Sequence, residues 1–150
     1  MNRFRASNFD EVFLEKSWEW LNDPEIKKLT STPDFTKEEQ KTWFEGLPYR
    51  NDYKVWGAYY GEVPVGAFGI KQIEDGSAFY FAYIGEKDYW GMGLGKEFIL
   101  EAMKLSKDLG LKELKMYADK QNERSIIAHE KYGFVKREDL GDMYIMVLTL

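Results

Sequence analysis

Three glycines at alternate positions in Trp90-Gly91-Met92-Gly93-Leu94-Gly95-Lys96 are the residues of this chain best suited to hold an anion. Lacking a Cβ, glycine lets backbone N–H groups crowd against a ligand and takes positive φ at little cost. An aromatic, strand-like stretch precedes the run, and an amphipathic helix opens near Lys96. A helix start adds unpaired N–H donors and the positive end of its dipole. Gly-x-Gly-x-Gly in that setting predicts a cradle for the pyrophosphate of a cofactor. Two rival phosphate loops fit less well. A dinucleotide fold places Gly-x-Gly-x-x-Gly in a first βαβ unit, whereas this loop has other spacing and follows antiparallel strands. A nucleoside-triphosphate loop ends in Gly-Lys-Ser/Thr, and Gly95-Lys96-Glu97 lacks the metal-binding hydroxyl.

What the chain lacks narrows the chemistry further. It has no cysteine, which removes disulfides, thiolate metal sites and a covalent acyl-cysteine intermediate. His129 is the sole histidine, so a His-rich metal centre is not expected, and no metal site is assigned. A net charge of -5 argues against a sequence-independent nucleic-acid binder, which needs clustered Lys and Arg. No apolar run approaches the ~20 residues that cross a bilayer. The start, Met1-Asn2-Arg3-Phe4-Arg5, lacks the apolar core of a secretory signal. The expectation is a soluble cytoplasmic protein with no membrane or nucleic-acid partner. Its apolar content of 44%, with 17% aromatics, predicts a folded domain rather than disorder.

The elements that must position the loop follow from periodicity. A short strand is expected over residues 2–6, and a helix over 8–21 with Val12, Phe13, Trp18 and Leu21 on its apolar face. Asp23-Pro24 reads as a cap and first-turn proline of a second helix. Thr36 with Glu39 forms a capping box for a third, running through Trp43 to about Glu45. Residues 53–60 and 63–71 read as strands joined by a hairpin at Gly61-Glu62, with Pro64 marking a strand beginning or edge. Glu74-Asp75-Gly76 makes the next turn, and 77–84 is a strand rich in aromatics. After the loop, Phe98, Ala102, Met103, Leu105 and Leu109 recur at helical spacing up to Gly110. Residues 111–118 read as a buried strand, 122–132 as a helix ending at Gly133, and Phe134 and 143–148 supply the final strands. This order predicts a mixed α/β (α+β) layer with helices on both faces of one sheet.

The block strand–Trp90-to-Gly95–helix, followed by the block strand–Asn122-Glu123-Arg124-Ser125-Ile126-Ile127-Ala128-His129-Glu130-Lys131-Tyr132-Gly133-Phe134, resembles the GNAT superfamily of acyl-CoA-dependent N-acyltransferases. The resemblance covers residues 53–150 well and the N-terminal helices more loosely. It implies a GNAT-like, mostly antiparallel central sheet, one N-acetyltransferase domain over 1–150, and acetyl-CoA as co-substrate. It implies that Gly91, Gly93, Gly95 and the amides of Met92, Leu94 and Lys96 wrap the coenzyme pyrophosphate, and that the backbone of Ala82, Tyr83 and Ile84 pairs with the pantetheine arm. Asn122 matches the family asparagine that contacts the cofactor. Trp90 stands where the family usually has Arg or Gln, which weakens side-chain contact to phosphate and leaves the backbone cradle intact.

Relatives commonly carry a general-acid tyrosine seven residues after that asparagine, and here the position is His129. Imidazole suits proton donation near neutral pH; a single helix histidine is also often only structural. Tyr132 is the next candidate, though it precedes Gly133 and has packing to do. Many relatives carry a glutamate near the start of the fourth strand, where this chain has Phe79 and Tyr80. No base is assigned, since Glu74, Glu86 and Asp88 read more simply as solvated surface. With no cysteine, direct transfer in a ternary complex is expected, with a strand N–H as oxyanion donor. The stretch Trp18-Glu19-Trp20-Leu21-Asn22-Asp23-Pro24-Glu25-Ile26 looks like that of members acting on nucleotide-linked amino sugars or on ribosomal-protein N-termini. Trp18, Trp20, Trp43 and Phe44 are candidates to stack on a sugar or base, against core packing as the plainer reading. Glu19, Asp23 and Glu25 are suited to attract a cationic amine, although helix starts favour such charges anyway. The expected acceptor is a small-molecule primary amine, a nucleotide-linked amino sugar first. The alternatives are a protein α-amine and a non-catalytic acyl-CoA-binding module, in a monomer or homodimer.

Overall fold

The computed structural model describes residues 3–150. Strand β1 spans Phe4–Asn8, so the expected strand over 2–6 is displaced, and its first residue lies outside the described residues. Helix α1 spans Glu11–Asn22, capped by Asp10, whose carboxylate accepts from the Val12 N–H at 3.1 Å. Its buried stripe is Phe13, Ser17 and Trp20, at i, i+4 and i+7, while Val12 is exposed. The expected face was therefore rotated, because serine at 17 interrupts the apolar pattern. Ser17 is tolerated inside because its hydroxyl donates to the Leu14 carbonyl and accepts from Gln40 Nε2 at 2.9 Å.

Helix α2, Pro24–Leu29, starts at Asp23, which accepts from the N–H groups of Glu25 and Ile26. Helix α3, Lys37–Gly46, carries the Thr36–Glu39 capping box. Strands β2 (Tyr53–Tyr60), β3 (Val63–Glu74) and β4 (Ser77–Ile84) form an antiparallel meander. β3 runs three residues past its expected end (71 against 74), through an irregularity at Gln72, whose φ is 52°. Helix α4, Leu94–Asp108, begins two residues before Lys96. Strand β5 is Glu113–Asp119, helix α5 is Glu123–Glu130, and β6 (Val135–Asp139) and β7 (Met143–Thr149) close the chain. Helix α5 stops before Tyr132, since its capping N–H groups already turn back at Lys131.

One sheet takes the order β1-β2-β3-β4-β5-β7-β6, antiparallel except between β4 and β5. That single parallel contact is the consequence of a helical crossover, α4, between the two strands. Alternation splits each strand between two faces. Ala58, Phe68, Ile70, Ala78, Tyr80, Leu114, Met116 and Met146 pack with Phe98, Ile99 and Ala102 of α4 and Ile126 of α5. On the opposite face Phe13, Trp20 and Ile26 of α1 and α2 pack with Tyr59 and Tyr83. The mixed α/β sheet with helices on both faces is thus the observed fold. Among the described residues, no helix is long and apolar enough to cross a membrane.

Candidate active site

The centre of the sheet comes apart. β4 and β5 share only the pairs Ser77↔Glu113, Ala78↔Leu114 and Phe79↔Lys115. β4 continues along β3 to Ile84, and β5 continues along β7 to Asp119. From Tyr80 onward the β5 side of β4 has no strand partner, so an interior strand presents an edge. Ala82 is exposed although it lies mid-sheet, because its neighbour has turned away. Such an edge can take an extended, amide-bearing chain as an added strand. Ala82 therefore offers its backbone to that gap, whereas Tyr83 pairs with Ala67 of β3. The Tyr83 side chain faces the other way, against Trp20 at 6.2 Å.

The glycine run sits at the open end of this gap. A 3-10 turn, Lys87–Tyr89, leads into it, and Gly91 and Gly93 take φ of 80° and 78°. Both values lie in the left-handed region that other residues resist. Trp90 is spent on structure: its indole N–H donates to the Ile84 carbonyl at 2.9 Å, tying the loop to the end of β4. Ile84 thereby has that carbonyl engaged. Gly93 caps α4 without any side-chain hydrogen bond, and of the first-turn amides the Lys96 N–H turns back to the Gly93 carbonyl at 3.3 Å. Leu94 is buried and anchors the loop, leaving only its backbone for a ligand; Met92, Gly95 and Lys96 are exposed. Gly95 lies inside α4, and a Cβ there would meet nothing within 4 Å. Glycine in a helix is worse than alanine by roughly 0.5–1 kcal/mol. The packing of the chain gives no reason for that cost, whereas a group pressed against the helix start does.

Asn122 caps α5, its Oδ1 accepting from the Ser125 N–H at 3.2 Å. One turn on, His129 Nδ1 lies 2.7 Å from the Ser125 carbonyl. A carbonyl only accepts, so this contact assigns a hydrogen to Nδ1 and leaves Nε2 for proton exchange. The imidazole packs edge-on against Phe134 at 5.6 Å and lies 6.4 Å from the Tyr80 ring. It is half-buried. Tyr132 falls in the turn after α5, where its N–H donates to the His129 carbonyl and its ring joins the edge of the main core. Tyr80, the first residue past the last β4–β5 pair, is 8% exposed, and burial pushes its phenol well above the ordinary tyrosine range. From sequence it stands, with Phe79, only where relatives carry a glutamate, and no role attaches to it. Only the register with β5 reveals its place.

No carboxylate side chain occurs in β4, Ser77–Ile84. Glu86 accepts from the Trp20 indole at 3.0 Å and faces Lys16 at 3.9 Å, while Glu74 and Asp88 are exposed. The N-terminal aromatics mainly pack. Trp20 is buried, Trp18 stands edge-on to Phe35, and Trp43 and Phe44 lie against Phe9. Beside Trp20, a groove of about 330 Å³ is lined by Glu19, Asp23, Glu86 and Asp88 among others. Lys87 reaches Asp23 at 2.9 Å and Glu25 at 3.0 Å, and its hydrogen bond holds the Asp23 carboxyl below the usual range. Among the described residues, no group of three or more His, Asp or Glu is placed to hold a metal.

The model of the acetyltransferase (GNAT) domain matches residues 1–135. In shape the chain is similar to spermidine N-acetyltransferase from Vibrio cholerae in complex with CoA and spermine, with a TM-score of 0.91 and 16% identity over 98% of this chain and 95% of that one. It is similar to the Campylobacter jejuni N-acetyltransferase PseH, with a TM-score of 0.76 and 18% identity over 98% of both chains. The PaiA N-acetyltransferase of Thermoplasma acidophilum in complex with coenzyme A superposes with a TM-score of 0.75 and 21% identity, over 98% of this chain and 99% of that one. No curated protein matches the sequence significantly.

Proposed function

The chain belongs to the GNAT acetyltransferase family, and on that premise we propose that it moves an acetyl group from acetyl-CoA to a primary amine of a small molecule by direct transfer. The observation that carries this reading is Gly95, a helical glycine facing open space beside an uncapped helix start and an unzipped strand edge. Gly91, Met92, Gly93, Leu94, Gly95 and Lys96 would hold the diphosphate by backbone N–H groups, with the dipole of α4 in support. Ala82 would pair with a pantetheine amide, leaving Asn122 at the start of α5 near the arm. Spermidine N-acetyltransferase and PaiA have each been seen with CoA, which supports the same site here. Residues 1–150 act in this account as one acetyltransferase domain.

The amine must lose a proton before it attacks. An alkylammonium is about a thousandth deprotonated at neutral pH, a cost of roughly 4 kcal/mol that a base or water chain relieves. A β4 main-chain N–H stabilises the oxyanion. His129, as the imidazolium, then protonates the departing thiolate from Nε2, its Nδ1–H pinned on the Ser125 carbonyl; Tyr132 is the second choice for that role.

For the acceptor, a nucleotide-linked amino sugar is the first reading, resting on the stretch Trp18 to Ile26. The groove beside Trp20 favours a second, a polycationic amine, because its four carboxylates, Glu19, Asp23, Glu86 and Asp88, outnumber its one ammonium, Lys87, and would repel a diphosphate. The likeness to a spermidine acetyltransferase points the same way. A protein α-amine and a binding module without turnover are the other outcomes.

Thiol release with a colorimetric reagent separates these readings, and the chain has no thiol of its own. Release with sugar nucleotides alone, with polyamines alone or with peptides alone identifies the acceptor class. Acyl-CoA binding with no release for any amine identifies the binding module. With the acceptor found, His129→Ala should lower kcat by about 10²-fold or more; an unchanged kcat across pH removes His129 as the acid.

A further inference from the structure

Tyr80 carries a hydroxyl that no internal contact explains. Its neighbours on β4, Phe79 and Phe81, do without one. The Tyr80 ring is buried in the main core, yet its oxygen makes no hydrogen bond to any described residue. Ser106 Oγ is the one fully enclosed side-chain atom without a partner among the described residues, so the Tyr80 oxygen keeps an opening. The hydroxyl therefore reaches an opening at the edge of the core, where a bound group can accept from it. Tyr80 stands at the point where β4 and β5 part, on the α4 and α5 face, with the His129 ring 6.4 Å away.

We propose that Tyr80 is a hydrogen-bond donor to the reacting thioester, stabilising the negative charge that develops on the departing sulfur while His129 supplies the proton. The proposal rests on the acetyl-CoA reading of the gap between β4 and β5. The amine nitrogen bonds to the acyl carbon, the carbon–sulfur bond breaks, and its electron pair goes to sulfur. His129 enters the step as the imidazolium, with Nδ1–H on the Ser125 carbonyl. Sulfur takes the proton from Nε2, the proton shed by the amine goes to solvent, and solvent reprotonates Nε2. The Tyr80 O–H is intact before and after. Burial favours the neutral phenol, so the group acts here with its proton in place. A neutral O–H fixed beside the sulfur is what electrostatic stabilisation requires.

The test uses CoA itself. Because the chain has no cysteine, the thiolate absorbance of bound CoA, measured against apo protein, reports one thiol only. Tyr80→Phe removes a single oxygen, and an unchanged melting temperature certifies the fold. Below the thiol pKa values of both complexes, wild-type protein should hold about tenfold more of bound CoA as thiolate than Tyr80→Phe, a difference that closes as pH rises above them. With acetyl-CoA and a working amine, Tyr80→Phe should lower kcat about 10- to 100-fold while KM for acetyl-CoA stays within about twofold. Equal thiol titrations with equal kcat overturn the inference alone. A wild type that binds no CoA removes the acetyl-CoA reading and the inference with it.

Discussion

Glycines serve opposite purposes on the two faces of this sheet. On the α1 face they make room for the protein itself. A Cβ at Gly57 would come within 2.3 Å of the Phe13 ring, and one at Gly85 within 2.0 Å of the Trp20 ring. These two absences let α1 settle directly on the sheet, and Phe13 and Trp20 become core. At the start of α4 the glycines make room for nothing the chain contains: Gly91, Gly93 and Gly95 all face open space. The first pair is explained by packing. The second set is explained by conformation at Gly91 and Gly93, and at Gly95 no packing within the chain accounts for it.

The largest effect expected from this contrast is structural. Gly85→Ala drives a methyl group into the Trp20 ring, and overpacking of that kind costs about 1–3 kcal/mol. Urea unfolding should show that loss, while CoA affinity of the folded protein stays within about twofold. A weakened CoA site with unchanged stability would erase the distinction between the faces. Gly95→Ala should do the reverse. Stability should hold or rise by up to ~1 kcal/mol, the helix propensity gain, while CoA binding weakens about tenfold. Alanine tolerated at both measures would leave Gly95 unexplained.

A smaller effect sharpens the dryness of the α1 face. Burial raises the Tyr53 phenol from 10.0 to about 12, with Arg50 opposing. The folded chain therefore binds that proton more tightly than the unfolded chain. The associated stability is complete below pH 10 and is lost as pH climbs toward about 12. Tyr53→Phe should flatten stability over that interval; an identical alkaline decline in the variant contradicts a desolvated phenol.

Much of this arrangement was written in local patterns. The Thr36–Glu39 capping box, the Asp23-Pro24 start and the 77–84 strand were legible because caps, prolines and alternation act over a few residues. So was the strand–glycine–helix passage. The α1 face was misjudged because a serine made acceptable by Gln40, distant in sequence, occupies a core position. β6 was not resolved from sequence since all five of its residues are exposed on an edge, which removes the alternation that betrays a strand. The parting of β4 from β5, and with it the position of Tyr80, depends on register between strands on either side of α4. The Trp90 indole, read as a departure from phosphate contact, proved to brace the loop through a carbonyl six residues back.

Calorimetric titration of the wild-type protein with CoA, beside 4′-phosphopantetheine that lacks the nucleotide diphosphate, tests the cradle most directly. The account predicts saturable heat with CoA and binding at least about a hundredfold weaker for the truncated compound, since the helix start contributes through that diphosphate. Equal affinity for the two compounds, or no heat with CoA from folded protein, would contradict it.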